Sequence, residues 1–206
     1  MKYRTLLIAI PLTFTLGCQL VKPQSPDQFL NRYAVPEPSP EAFISCKKFG
    51  CEDKSSLAYT ATEWSSIREL FNEPSRSPEE ERQAIRQAVA LMESFVGAKN
   101  NTAGDVARNA GWFVGTPQLD CVAETINTTV ALLLLEQNQL LQHHSVGYPR
   151  HRGILDLTGP HYSAVLTDNS SQQSYVVDSW FFANGQLPVV VSAEKWQKGY
   201  DPEDDQ

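Results

Sequence analysis

The chain has 206 residues, with 17 Lys and Arg against 24 Asp and Glu, for a formal charge of −7. That length allows one domain with a core of its own, and an apolar share of 41% excludes wholesale disorder. The acidic balance argues against a nucleic-acid partner, which needs clustered Lys and Arg, and four cysteines are too few for a disulfide scaffold.

Met1-Lys2-Tyr3-Arg4 is a short basic start, residues 5–16 are mainly apolar, and Gly17 precedes Cys18. This is the layout of a secretory signal, too short to span a bilayer, and Pro11 within it disfavours a stable anchor helix. Thr15-Leu16-Gly17-Cys18 resembles a bacterial lipobox, which implies removal of residues 1–17 and lipidation of Cys18. Losing Lys2 and Arg4 takes the formal charge from −7 to −9. Gln19 rather than Asp follows the cysteine, which by the same resemblance implies the outer membrane, on its periplasmic face. Pro23, Pro26, Pro36, Pro38 and Pro40 mark residues 18–43 as lipid site plus an extended tether, so the first expected partner is a lipid bilayer, reached through Cys18.

Residues 44–200 read as the folded domain and residues 201–206 as an acidic tail. Cys46 and Cys51, five apart in an exported chain, point to a local disulfide; a zinc pair is the other reading, but no second Cys/His pair has matching spacing. Residues 62–71 have Trp64, Ile67, Leu70 and Phe71 on one helical face. Ser77-Pro78-Glu79-Glu80 is a helix start, followed by a stripe of Ile85, Ala88, Val89, Met92 and Val96 that stops near Gly97. A polar loop, a short segment to Val114 and a turn at Gly115-Thr116-Pro117 come next. A helix from about residue 119 to 141, with four consecutive leucines at 132–135, is apolar all round and should be central. Residues 138–158 read as a loop rich in Gly, Pro and His. Residues 161–167 and 174–180 alternate as strands around a turn at residues 168–171, and Leu187 opens a third apolar run. Helices first and strands after make an α+β layout, a central buried helix packed on a small antiparallel sheet.

Cys121 stands at the start of the central helix, where free N–H groups and the dipole favour thiolate and where its own amide can receive an oxyanion. A thiol nucleophile needs a base, and the four histidines are His143, His144, His151 and His161. A turn centred on Asn169-Ser170 sets residue 161 directly opposite residue 178, so His161 and Asp178 share a face: a base with a carboxylate to orient it. Gln118 is a weaker candidate for an oxyanion donor. Trp112 and Trp180 read as walls or core, Glu124 as a helix cap or an arginine's partner, and His143 and His144 as cations favoured at a helix C-terminus. No helical His-Glu-x-x-His pattern exists, and no metal or other cofactor is expected.

Asp-Cys at a buried helix start, a His opening a strand and an apolar-Asp-Ser-Trp run together resemble the papain/transglutaminase-like cysteine hydrolases, in particular the bacterial transglutaminase-like ones. The resemblance covers roughly residues 115–196 and implies Cys121 as nucleophile, His161 as base and Asp178 as orienter, with a thioester resolved by water or by an amine. It implies a peptide or protein substrate. Asp120-Cys121-Val122 lacks the family's acidic residue after the cysteine, so a binding or assembly lipoprotein that keeps the fold without catalysis stands as the alternative.

Overall fold

The computed structural model describes residues 24–74, 77–109, 118–153 and 160–205. The expected signal at 1–17, the expected lipid site Cys18, Trp112 and the expected turn at Gly115-Thr116-Pro117 lie outside the described residues. The architecture is α+β, with five α-helices and two antiparallel sheets among the described residues. The helices are α1 (Pro26–Arg32), α2 (Ala61–Glu69), α3 (Pro78–Asn100), α4 (Cys121–Gln137) and α5 (Ala193–Gln197). A two-stranded ribbon pairs β1 (Phe43–Lys47) with β2 (Asp53–Leu57). The main sheet has the order β3 (His144–Arg152), β4 (His161–Asp168), β5 (Ser174–Asp178), β6 (Val189–Ser192).

α4 is the hub, as the leucine run predicts: Ile126, Leu132, Leu134 and Leu135 have no exposed surface. The helix packs on one face of the main sheet, against Ala164, Leu166 and Val177. α5 closes the opposite face, where Ala193 and Trp196 meet Val165 and Val176. Residues on a strand alternate between those two faces. His161 and Asp178 therefore share the α5 face with Val165 and Val176.

Five expectations need correction. Residues 24–43 are not a free tether. Pro26 takes the first position of α1, where its missing N–H costs nothing, and Phe29, Leu30 and Val35 are all 1% exposed in the core. The acidic tail is not free either: Arg108 grips both carboxylate oxygens of Asp201 at 2.6 Å and reaches Glu203 at 3.2 Å. α3 passes Gly97 and ends at Asn100, with Asn101 in the left-handed conformation that caps helices. Gly97 serves close approach instead, since a Cβ there would lie 2.9 Å from the Ala103 nitrogen. β3 occupies the expected loop; its register slips between Gly147 and Arg150, a bulge that absorbs Pro149, which has no N–H to give a ladder. The β4–β5 register is also displaced: Ala164 pairs with Val177, not with Tyr175. Asp168 Oδ1 accepts the Ser170 and Ser171 amides at 2.8 and 3.0 Å, which moves the centre of the turn one residue along the chain. The displacement across the ladder is even, so His161 and Asp178 stay on one face, diagonal rather than directly opposite.

Among the described residues no helix is long and apolar enough to cross a membrane.

Candidate active site

Cys121 opens α4 because Asp120 caps the helix, with Oδ1 accepting the Ala123 amide at 2.9 Å. The half-buried thiol donates to the Pro160 carbonyl at 3.9 Å, and the amides of Tyr162 and of Cys121 itself bear on the sulfur. Pro160 and Tyr162 flank His161. The helix start thus sets the sulfur beside the backbone of the histidine that begins β4.

His161 Nε2–H donates to Asp178 Oδ2 at 2.8 Å, both side chains being buried. That bond fixes the tautomer, leaving the lone pair on Nδ1. Nδ1 is buried and makes no hydrogen bond. An unsatisfied buried acceptor is costly, and such exceptions in a native fold call for a reason. The ring is held by aromatic neighbours, with Trp180, Trp196 and Phe181 centroids at 4.6, 5.5 and 5.7 Å.

Trp196 is a site residue that sequence reasoning misses. Its indole N–H donates to the same Asp178 Oδ2 at 2.7 Å, and the residue is fully buried. Two donors on one oxygen hold the carboxylate against the imidazole. The only trace in the sequence is a tryptophan in a short helix shortly after the last strand.

Electrostatics runs against a resting thiolate. The helix N-terminus favours the anion, but burial pushes the Cys121 thiol up to about 11, with Asp120 and Asp178 adding to the rise. The sulfur is a thiol at neutral pH, so any attack by it would first need its proton removed.

Other sequence candidates have different roles. Gln118 is not aimed at the sulfur: its amide donates to Gly104 O at 2.9 Å and accepts from Val106 N and Asn109 Nδ2 at 3.0 and 3.1 Å. Trp180 is a wall beside His161, anchored by its indole N–H on Asn109 O at 2.7 Å. His144 does not cap α4 but enters β3, where Nδ1–H donates to buried Glu81 at 2.9 Å and Nε2 accepts from Arg82 at 3.2 Å. Glu81 also accepts the amides of Gln142, His143 and His144, fixing the turn from α4 into β3.

Among the described residues Glu124 meets other acids rather than an arginine. It joins Glu93 and Asp105 in a buried acidic group beneath the site. Burial pushes Glu93 up to about 7 and Asp105 up to about 6, and drives Glu124 well above its ordinary range. Glu124, protonated, shares a hydrogen bond with Asp105, and one oxygen of Asp105 accepts the Leu119 amide at 2.7 Å. Glu93 takes the Ser179 hydroxyl and the Gly185 amide, while its Oε1 is buried without a partner. Each acid thus touches a segment that carries a site residue: Leu119 lies just before Cys121, and Ser179 just after Asp178.

Among the described residues no three His, Cys, Asp or Glu side chains are placed to hold a metal ion. No protein-family model, curated protein or solved structure matches the chain.

Proposed function

We propose that this chain is a lipid-anchored envelope protein, with a papain/transglutaminase-like fold, whose Cys121, His161 and Asp178 hydrolyse or transfer an amide or peptide acyl group through a thioester. One observation carries the reading. The unpartnered Nδ1 of an imidazole oriented by Asp178 belongs to the residue whose backbone neighbours cradle a free thiol. In the first step the thiol proton passes to Nδ1 as sulfur attacks the carbonyl carbon, and the developing oxyanion takes the Cys121 amide at the start of α4. The imidazolium, steadied by Asp178, then gives that proton to the leaving amine. Water or a second amine repeats the sequence in reverse and releases the acyl group.

Export is supported by the signal-like first 17 residues and by the Cys46–Cys51 disulfide, which suits an oxidising compartment. Lipidation at Cys18 rests on the lipobox-like residues before it. The substrate class is a peptide or protein, reached from the membrane surface.

p-Nitrophenyl acetate tests the chemistry. The expected result is a burst of p-nitrophenolate matching the protein in amount, an acetyl group on Cys121, and neither in Cys121→Ala. Adding methylamine then separates transfer from hydrolysis. No burst, with Cys121 unmodified, favours the non-catalytic binding protein, a reading the high thiol pKa alone supports. Labelled palmitate incorporated by the wild type but not by Cys18→Ala is the expected outcome for the anchor.

A further inference from the structure

The turn that presents Cys121 is not self-supporting; it leans on the loop closed by the Cys46–Cys51 disulfide. Lys48 N–H donates to Gln118 O at 3.2 Å, and Lys48 pairs with Leu119 as an isolated parallel bridge. Gly50 N–H donates to Asp120 Oδ2 at 3.0 Å, on the carboxylate whose other oxygen caps α4. The side chain of Asn127, two turns into α4, accepts the Cys46 amide at 2.7 Å and donates to the Cys46 carbonyl at 3.0 Å. Gln118, Leu119 and Asp120 are the three residues before the nucleophile. The loop grips two of them by hydrogen bonds and pairs with the third.

The loop is also strained in the places that make these bonds. Lys48 has φ 61° and ψ −176°, a region that residues with a Cβ avoid, and Cys51 has φ 62°. Such conformations persist only where something holds them. Among the described residues, the covalent closure between Cys46 and Cys51 is what fixes both ends of this stretch. Asp120 would still cap α4 without it, through Oδ1 alone, so the helix survives while the turn loses its brace.

We propose that the Cys46–Cys51 loop is a positioning element for Cys121 and that closing its disulfide switches the site on. The inference rests on the thiol-nucleophile reading above. In the closing reaction the two thiols give up two protons and two electrons to a disulfide oxidant, which becomes two thiols. A chain with the pair reduced keeps its fold and a slow nucleophile; oxidation after export completes the site. Activity is thereby withheld from any compartment that keeps thiols reduced.

The test uses the full chain in detergent and p-nitrophenyl acetate as probe, with acylation of Cys121 followed by intact mass. Four samples are compared: oxidised wild type, wild type reduced with dithiothreitol and desalted without air, Cys46→Ser/Cys51→Ser, and oxidised Ile85→Val. The last loses stability in the buried stripe of α3, far along the sequence from the loop. The expected result is acylation at least about tenfold slower in the reduced and serine samples, and unchanged in Ile85→Val. Oxidised glutathione should restore the reduced wild type and leave the serine pair slow, a rescue that general destabilisation does not give. Equal rates in oxidised and reduced wild type overturn the inference while leaving the site reading intact. Loss of the near-ultraviolet circular dichroism on reduction overturns it too, because the disulfide is then a staple of the whole fold. No acylation even in the oxidised protein overturns the site reading and this inference with it.

Discussion

The buried acids Glu93, Asp105 and Glu124 make the protein lose stability as pH rises through the slightly acidic range. Glu93 is pushed from its ordinary 4.5 up to about 7, mainly by burial, with Asp105 as a like-charged neighbour. The folded chain therefore keeps a proton that the unfolded chain releases. Its share of stability is complete below about pH 4.5, falls as pH rises, and is gone above about pH 7. At ~1.4 kcal/mol per pKa unit, the loss is about 3 kcal/mol. Asp105, raised to about 6 mainly by its own burial, and Glu124, also raised, add losses of the same sign, so the figure for Glu93 is a lower bound for the group. Among the described residues no cation is paired with the group: Asp178 and Tyr59 bear on it, and Lys99 beyond Tyr59 is paired with Glu63. Asp201, held at about 2 by Arg108, loses stability in the opposite direction, as pH falls. The optimum thus lies at about pH 5. Urea unfolding at about pH 5 and about pH 7.5 measures the difference. Wild type should lose at least about 2 kcal/mol between the two, and Glu93→Gln, which keeps the shape without the charge, should lose about 2 kcal/mol less than wild type. Stability flat or rising over this interval, or an unchanged slope in Glu93→Gln, would refute the reasoning.

Three further outcomes follow from single contacts. Trp196→Phe keeps the ring in its buried slot but removes the donor on Asp178 Oδ2, so acylation of Cys121 should slow about tenfold, with a stability loss of ~1–2 kcal/mol read by urea unfolding. Asp178→Asn can present its amide N–H to Nε2, which would move the imidazole proton to Nδ1 and remove the base. Acylation should then drop by about two to four orders of magnitude in stopped-flow measurements with p-nitrophenyl acetate. Glu81→Ala strands the amides of Gln142, His143 and His144 together with the His144 ring, and should cost about 3–5 kcal/mol, measured by thermal and urea unfolding, with the remaining folded protein still acylated.

How far the sequence discloses this molecule depends on the range of the interactions. Ser77-Pro78, the leucines of α4 and the alternation of β4 and β5 are local signals that place each element, though α4 stops at Gln137, short of the expected residue 141, and β5 at Asp178 rather than residue 180. The Cys46–Cys51 pair is equally local. The shared face of His161 and Asp178 depends only on strand parity, so it withstands a turn whose true centre is set by Asp168 capping Ser170 and Ser171. What escapes is long-range or built from residues with two meanings. Pro26 reads as linker and acts as a helix start because Phe29 and Leu30 find a core. Pro149 reads as a strand breaker and is housed in a bulge of an edge strand. Trp196 on Asp178, Gly50 on Asp120 and Glu124 beside Asp105 join residues that no spacing rule connects. The helix-start argument for a thiolate at Cys121 is sound locally and outweighed by burial and two carboxylates.

The central claim, that His161 takes the proton of Cys121, is tested most directly by alkylating Cys121 with iodoacetamide at about pH 7 in wild type and in His161→Ala. With the thiol pushed up to about 11 and no base, the variant should react some hundreds of times more slowly than an ordinary cysteine of pKa ~8.5. Wild type, with Nδ1 free to receive the proton, should exceed the variant by about a hundredfold or more. Equal rates in the two proteins would contradict the account.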